Sequence, residues 1–196
     1  MNTNTRYKLA GGLSIAMAVM CLPLIVIALL IGMAERAGTF SGLTARSITA
    51  VLSLTAYGIS IYLYAALRHL LETGYGFYQV SRLLGAFIYF SVALAICSAI
   101  GVVSQRLNIW GGLLSVLSLV PMGIMNILLG IWLLRLESDL YGMKKAYAYL
   151  SIACGACYAT LVLFPFGLLM DIAGGIIAAI IFFRESEKPA EALPPA

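Results

Sequence analysis

Residues 146–183 read AYAYLSIACGACYATLVLFPFGLLMDIAGGIIAAIIFF, a stretch whose single charged residue is Asp171. As one helix rising 1.5 Å per residue it would be about 57 Å long, nearly twice the roughly 30 Å hydrocarbon layer of a bilayer. At its centre stand Phe164, Pro165, Phe166 and Gly167. Proline disfavours helix in the residue before it, and glycine permits a reversed backbone. The stretch therefore divides into two short helices, 146–163 and 167–183, joined as a tight hairpin. Each is about 26 Å long, enough for one crossing with little tilt. The competing reading is one crossing followed by a re-entrant half-helix.

Working outward, four further uncharged stretches are long enough to cross: 9–33, 47–67, 83–103 and 111–134. The whole chain has 196 residues, 62% hydrophobic and 10% charged. An average soluble domain is about 45–50% apolar and about 25% charged. The composition excludes an ordinary soluble domain and also a disordered chain. Continuous rather than alternating apolar runs exclude a transmembrane barrel. The expectation is an all-α membrane protein built as a six-helix transmembrane bundle. Residues 1–8 form a cytoplasmic N-terminus, 9–183 the membrane domain, and the Pro-rich residues 184–196 a disordered cytoplasmic tail. The loop from Ala34 to Arg46 is the longest on the outer side.

Charge placement supports six crossings. With the N-terminus inside, Arg6, Lys8, Arg68, Arg82, Arg135, Lys144, Lys145, Arg184 and Lys188 are cytoplasmic, against Arg36, Arg46 and Arg106 outside. Nine against three obeys the positive-inside rule; five crossings would reduce the bias to seven against five. Size and charge bias point to a bacterial inner membrane, with both termini cytoplasmic. The first apolar run is too long for a signal-peptide core and is read as a retained helix.

The second and fourth spans echo each other. Val51-Leu52-Ser53-Leu54 and Gly58-Ile59 recur as Val116-Leu117-Ser118-Leu119 and Gly123-Ile124, a constant offset of 65. Both exit through a basic residue, an acidic residue and Tyr-Gly: Arg68, Glu72, Tyr75, Gly76, and Arg135, Glu137, Tyr141, Gly142. With two crossings between the copies, this is a candidate parallel two-helix repeat. Chance similarity between apolar helices accounts for the same pattern.

Few residues carry chemistry. Asp171, the only charged residue in the spans, is either a proton or cation site or a first-turn carboxylate favoured by the helix dipole. Pro121 kinks the fourth span and frees a carbonyl; Asn126 bonds between helices. With Tyr57, Ser53 and Ser118 they either line a polar pocket or glue the bundle. Cys154 and Cys157 share a helix face, and Cys97 meets Cys157 if the third and fifth spans are neighbours. This candidate thiol cluster competes with small-residue packing, which also explains Gly12 with Ala16, Gly111 with Ser115, Gly174 with Ala178 and Gly175 with Ala179. A lone His69 excludes a site of several histidine ligands, and no metal or cofactor is expected. The absence of a basic run removes nucleic acid as a partner.

Three function classes follow. The first is a non-enzymatic scaffold or accessory subunit whose partners are membrane lipids, another membrane protein or a second copy. It would present Arg68, Glu72, Arg135, Glu137, Asp139, Lys144 and Lys145 on its cytoplasmic loops. The second is a small proton- or cation-linked transporter or channel using Asp171. The third, an intramembrane enzyme acting on thiols, quinones or lipids, lacks a convergent acid, base and nucleophile. A cavity reaching from Asn126 to Asp171 is what separates the second class from the first.

Overall fold

The computed structural model describes residues 3–38, 41–103 and 105–188, which are helical apart from short connections. The helices are α1 (Thr3–Arg36), α2 (Gly42–His69), α3 (Ser81–Gly101), α4 (Gln105–Leu117), α5 (Leu119–Leu134), α6 (Lys144–Thr160) and α7 (Phe164–Ser186). Five spans are long and apolar enough to cross a membrane, with α4 and α5 counted together over Trp110–Leu134. In the most apolar window of each span only 11% to 22% of residues are buried inside the fold. The rest present Leu, Ile, Val and Met outward, as on α1, where Val19, Leu29, Leu30 and Met33 are exposed. Such faces are stable only against an apolar medium.

The helices follow one another round a ring, and α1 closes it against α7. Tyr7 at the start of α1 stacks on Phe182 near the end of α7, with ring centroids 6.3 Å apart, and its hydroxyl meets His69 Nδ1 at 2.9 Å. Both described ends of the chain therefore lie at one end of the bundle. The densest core sits there too: Leu70, Leu71, Val80, Leu84, Phe87, Leu133 and Ile181.

The expected fourth span is one rod with a break at Ser118. The cause is Pro121: it has no N–H for the Leu117 carbonyl four residues back, and its ring crowds that carbonyl. Ser118 remains tied in by its N–H to Leu114 O at 2.8 Å and by its Oγ to Ser115 O at 2.5 Å.

The division of 146–183 falls three residues earlier than proline and glycine suggest. Leu161, at φ 56°, makes the reversal. Pro165 lies in the first turn of α7, where a missing N–H costs nothing. Gly167 is inside the helix: a Cβ there would come within 2.7 Å of the Tyr158 ring.

Other boundaries also shift. The N-terminal segment is helical from Thr3, and its Tyr7 is buried. The outer loop 34–46 shrinks, because α1 runs to Arg36 and α2 begins at Gly42, capped by the Ser41 hydroxyl accepting from Thr44 N–H at 3.2 Å. The tail does not begin at 184, since α7 continues through the buried Glu185 and Ser186; residues 189–196 lie outside the described residues, as do the side chains of Arg36 and Arg106.

The closest helix contact is the α5–α6 pair. A Cβ on Gly123 would lie 2.5 Å from Gly155 O, and one on Gly130 would lie 2.5 Å from Ala148 O. These antiparallel positions repeat every seven residues, so the seam extends over two turns of each helix. The small-residue pairs expected from four-residue spacing behave differently: Gly12 and Gly174 face open space, Gly111 meets only Cys97 O at 3.8 Å, and Gly175 alone packs closely, on Ala18 and Ser14.

Gly155→Val should therefore destabilise the fold by about 1–3 kcal/mol of overpacking and lower the unfolding temperature in detergent. Gly12→Ala should leave it unchanged. Thermal unfolding followed by circular dichroism separates the two; equal effects would disprove the seam.

Candidate functional site

A cavity of about 530 Å³ lies between α1, α2, α5, α6 and α7. Its polar lining comes from Ser14 and Cys21 on α1, Tyr57, Ser60 and Tyr64 on α2, Asn126 on α5, Tyr147, Ser151 and Cys154 on α6, and Asp171 on α7. Leu, Ile and Met side chains fill the gaps, with Phe164 towards one end and Phe182 towards the other. Leu67, Leu129 and Phe182, all buried, belong also to the dense core and close the cavity on that side.

Each wall is a helical stripe. Tyr57, Ser60 and Tyr64 recur at spacings of three and four, as do Tyr147, Ser151 and Cys154. Register is fixed by interhelical bonds: Ser14 Oγ donates to Gly175 O at 2.8 Å, and Cys154 Sγ contacts Gly167 O at 3.6 Å. Carrying the first register one turn further sets Asp171 level with Ala18. Asp171 is the eighth residue of α7, about 10 Å along its axis and past its first turn. The dipole reading of Asp171 as a first-turn carboxylate therefore does not fit. Its side chain keeps exposed surface, and it lines the cavity. Tyr158 stands beside it.

Asp171, Asn126, Tyr57 and Cys154 thus line one cavity. Pro121, Ser53 and Ser118 do not; Pro121 acts on the rod above Asn126. The thiols do not gather. Cys97 is on α3, which packs on α2 and α4 and not extensively on α6, so it is not brought to Cys157. Cys21, Ser14, Ser60, Tyr64, Tyr147 and Ser151 also line the cavity, beyond the site residues the sequence singles out. Their signal was the three-and-four spacing of polar residues within apolar spans.

A second polar cluster closes the end of the bundle where the chain ends meet. Glu185, only 5% exposed, accepts from the Tyr141 hydroxyl at 2.7 Å and from the Tyr75 hydroxyl at 3.4 Å, and pairs with Lys188 Nζ at 2.9 Å. Lys188 lies over both tyrosine rings, 5.4 Å from the Tyr75 centroid and 5.2 Å from the Tyr141 centroid. The two tyrosines are the echoed residues of the two loops, and the glycines after them both take positive φ, 63° at Gly76 and 79° at Gly142. Tyr141 itself sits at φ 55°, a left-handed conformation costing about 1–2 kcal/mol, held by its bond to Glu185. Burial, reinforced by the adjacent carboxylate, raises both tyrosine hydroxyls above their ordinary value, so they stay protonated donors.

The loop residues expected to face partners are mostly open. Arg135, Glu137, Asp139 and Lys145 are exposed. Arg68 pairs with Glu72 at 2.9 Å, whereas its counterpart Arg135 lies over the Trp132 ring at 5.0 Å. Lys144 is turned inward onto Leu136 O at 2.8 Å. Comparisons with family models, curated proteins and solved structures return no match for this chain.

Tyr141→Phe should cost about 1–3 kcal/mol, by leaving a buried carboxylate short of a donor and a left-handed residue without its tether. Because the folded-state tyrosines titrate above pH 10, their contribution is present below that value and declines as pH rises through the raised titration. Unfolding curves from pH 8 to 11 should fall less steeply in the Tyr75→Phe, Tyr141→Phe double variant than in wild type; parallel curves would refute the assignment.

Proposed function

We propose that this chain is a multi-pass membrane protein that handles a proton or small cation through the cavity at Asp171, as a small transporter or channel. The observation that carries the reading is the convergence of Asp171, Asn126, Tyr57 and Cys154 on one 530 Å³ space. That volume lies within the 300–1,000 Å³ of ordinary ligand pockets. A carboxylate inside a membrane span costs about 2.5–3.5 kcal/mol near the centre, and a bundle needing only glue has cheaper groups to use.

The topology that goes with this reading has six crossings. The crossing added to the five long apolar spans is α6, fifth in chain order, whose 17 residues span about 26 Å, a short but sufficient length where tilt is small. Support comes from Tyr7, His69, Tyr141 and Glu185 meeting at one end, which requires an even number of rods between the described ends. That end carries the nine basic residues counted above and is read as cytoplasmic, in a bacterial inner membrane.

The scaffold reading keeps one specific support, the exposed acidic and basic residues of the 135–145 loop. On that reading the cavity is incidental and Asp171 dispensable.

Purified protein in liposomes loaded with a pH-sensitive dye tests the choice. An imposed proton gradient should drive flux in wild type, and Asp171→Asn should reduce it at least tenfold while the helical spectrum is retained. No flux above empty liposomes, together with recovery of the protein in a larger complex, would replace this reading with the scaffold.

A further inference from the structure

Resting on the reading of Asp171 as the functional carboxylate, we infer that the cavity takes a monovalent organic cation with an apolar body, and that this cation and a proton exclude each other at Asp171. Three observations combine. The described lining has one carboxylate and no lysine, arginine or histidine, so an occupied site balances one positive charge and no more. No group of three or more His, Cys, Asp or Glu residues stands together among the described residues, so a divalent metal ion would lack ligands. Apart from the neutral polar groups named above, the lining is apolar or aromatic, and its rings, Tyr57, Tyr64, Tyr147, Phe164 and Phe182, favour a positive charge of low hydration.

Size argues the same way. With about 30 Å³ per liquid water, a cavity of 530 Å³ corresponds to some eighteen waters. A bare alkali ion would sit there hydrated and touch little, whereas a lipophilic cation displaces that water and covers the apolar wall. Neutralising Asp171 requires one charge, and a proton or the bound cation can each supply it. Where Asp171 is protonated, binding is an exchange: the O–H bond breaks, the proton leaves to solvent, and the cation pairs with the carboxylate. The other titratable groups near Asp171 are Cys21 from α1, Tyr64 from α2, and Tyr147, Cys154 and Tyr158 from α6, while Tyr57 lines the same cavity. Thiols and phenols stay neutral throughout the acid range, so Asp171 alone sets the pH dependence. The α5 wall contributes Asn126, which does not titrate.

The test uses tetraphenylphosphonium as probe, with purified full-length protein in detergent and empty micelles subtracted. Equilibrium dialysis should show saturable binding of one probe per chain that weakens as pH falls, approaching tenfold per unit on the acid side. In weakly buffered solution at such a pH, up to one proton should appear per probe bound. Asp171→Asn should lose both signals, and Asp171→Glu should restore them, which excludes misfolding as the cause. Tyr64→Leu should weaken the probe several-fold while proton release per probe bound stays the same. Binding that is independent of pH, or that survives in Asp171→Asn, overturns the inference. Absence of probe binding alongside Asp171-dependent proton flux in liposomes overturns it too, but leaves the cavity reading standing on the proton alone. Absence of both removes the two together.

Discussion

The architecture depends on how closely two helix backbones approach. At Gly123, Gly130 and Gly155 the backbones of α5 and α6 meet, with only Ile127 and Ile152 side chains packed onto the glycines, and at Gly175 α7 lies against the small Ala18 and Ser14 of α1. Helices that meet backbone to backbone send their larger side chains elsewhere. Around this ring they go outward, as the exposed Leu, Ile and Val of α1 and α4, or to one end, as the Leu and Phe core. The middle of the bundle holds small or polar side chains, among them Ser14, Ser60, Ser151 and Cys154, beside Leu, Ile and Met, and does not fill. The cavity is thus a consequence of the same small residues that bring the walls together.

The opposite end solves a different problem. Two loops leave the apolar region there, each with carbonyls and hydroxyls that must find partners. The loops share a Tyr-Gly at corresponding places, and both tyrosines reach the same Glu185. The resemblance between the loops therefore has a physical counterpart, a shared acceptor, whichever way the resemblance arose. It is incomplete: Arg68 finds a carboxylate four residues on, whereas Arg135 lies on Trp132.

Much of this was legible in the residues and some was not. Apolar run length located the helices to within about six residues at their ends, and the kink expected of Pro121 is present as the break at Ser118. Pro165 and Gly167 misplaced the turn, because proline is as acceptable in the first turn of a helix as before it, and Gly167 answers to the Tyr158 ring rather than to backbone reversal. The charged, Pro-rich end reads as a solvated tail, whereas the burial of Glu185 depends on two tyrosines 44 and 110 residues away. Asp171 stood out by type alone. Its companions did not, since Ser14, Tyr64 and Ser151 are ordinary in apolar helices until register sets them on one level.

The two carboxylates of α7 make the contrast on which the functional reading turns. Asp171 and Glu185 are fourteen residues apart, close to four full turns, so they leave one face of the helix about 21 Å apart. Both therefore look inward, in the same rigid rod and with the same chemistry. Glu185 is closed in: two hydroxyls and an ammonium meet it, and it has little left to bind. Asp171 has no comparable set of short bonds among the described residues, keeps exposed surface, and faces open volume. A carboxylate retained only for packing would be expected to resemble Glu185, because an unsatisfied charge in an apolar bundle lowers stability. That α7 carries one of each argues that the open one is kept for something that enters the cavity.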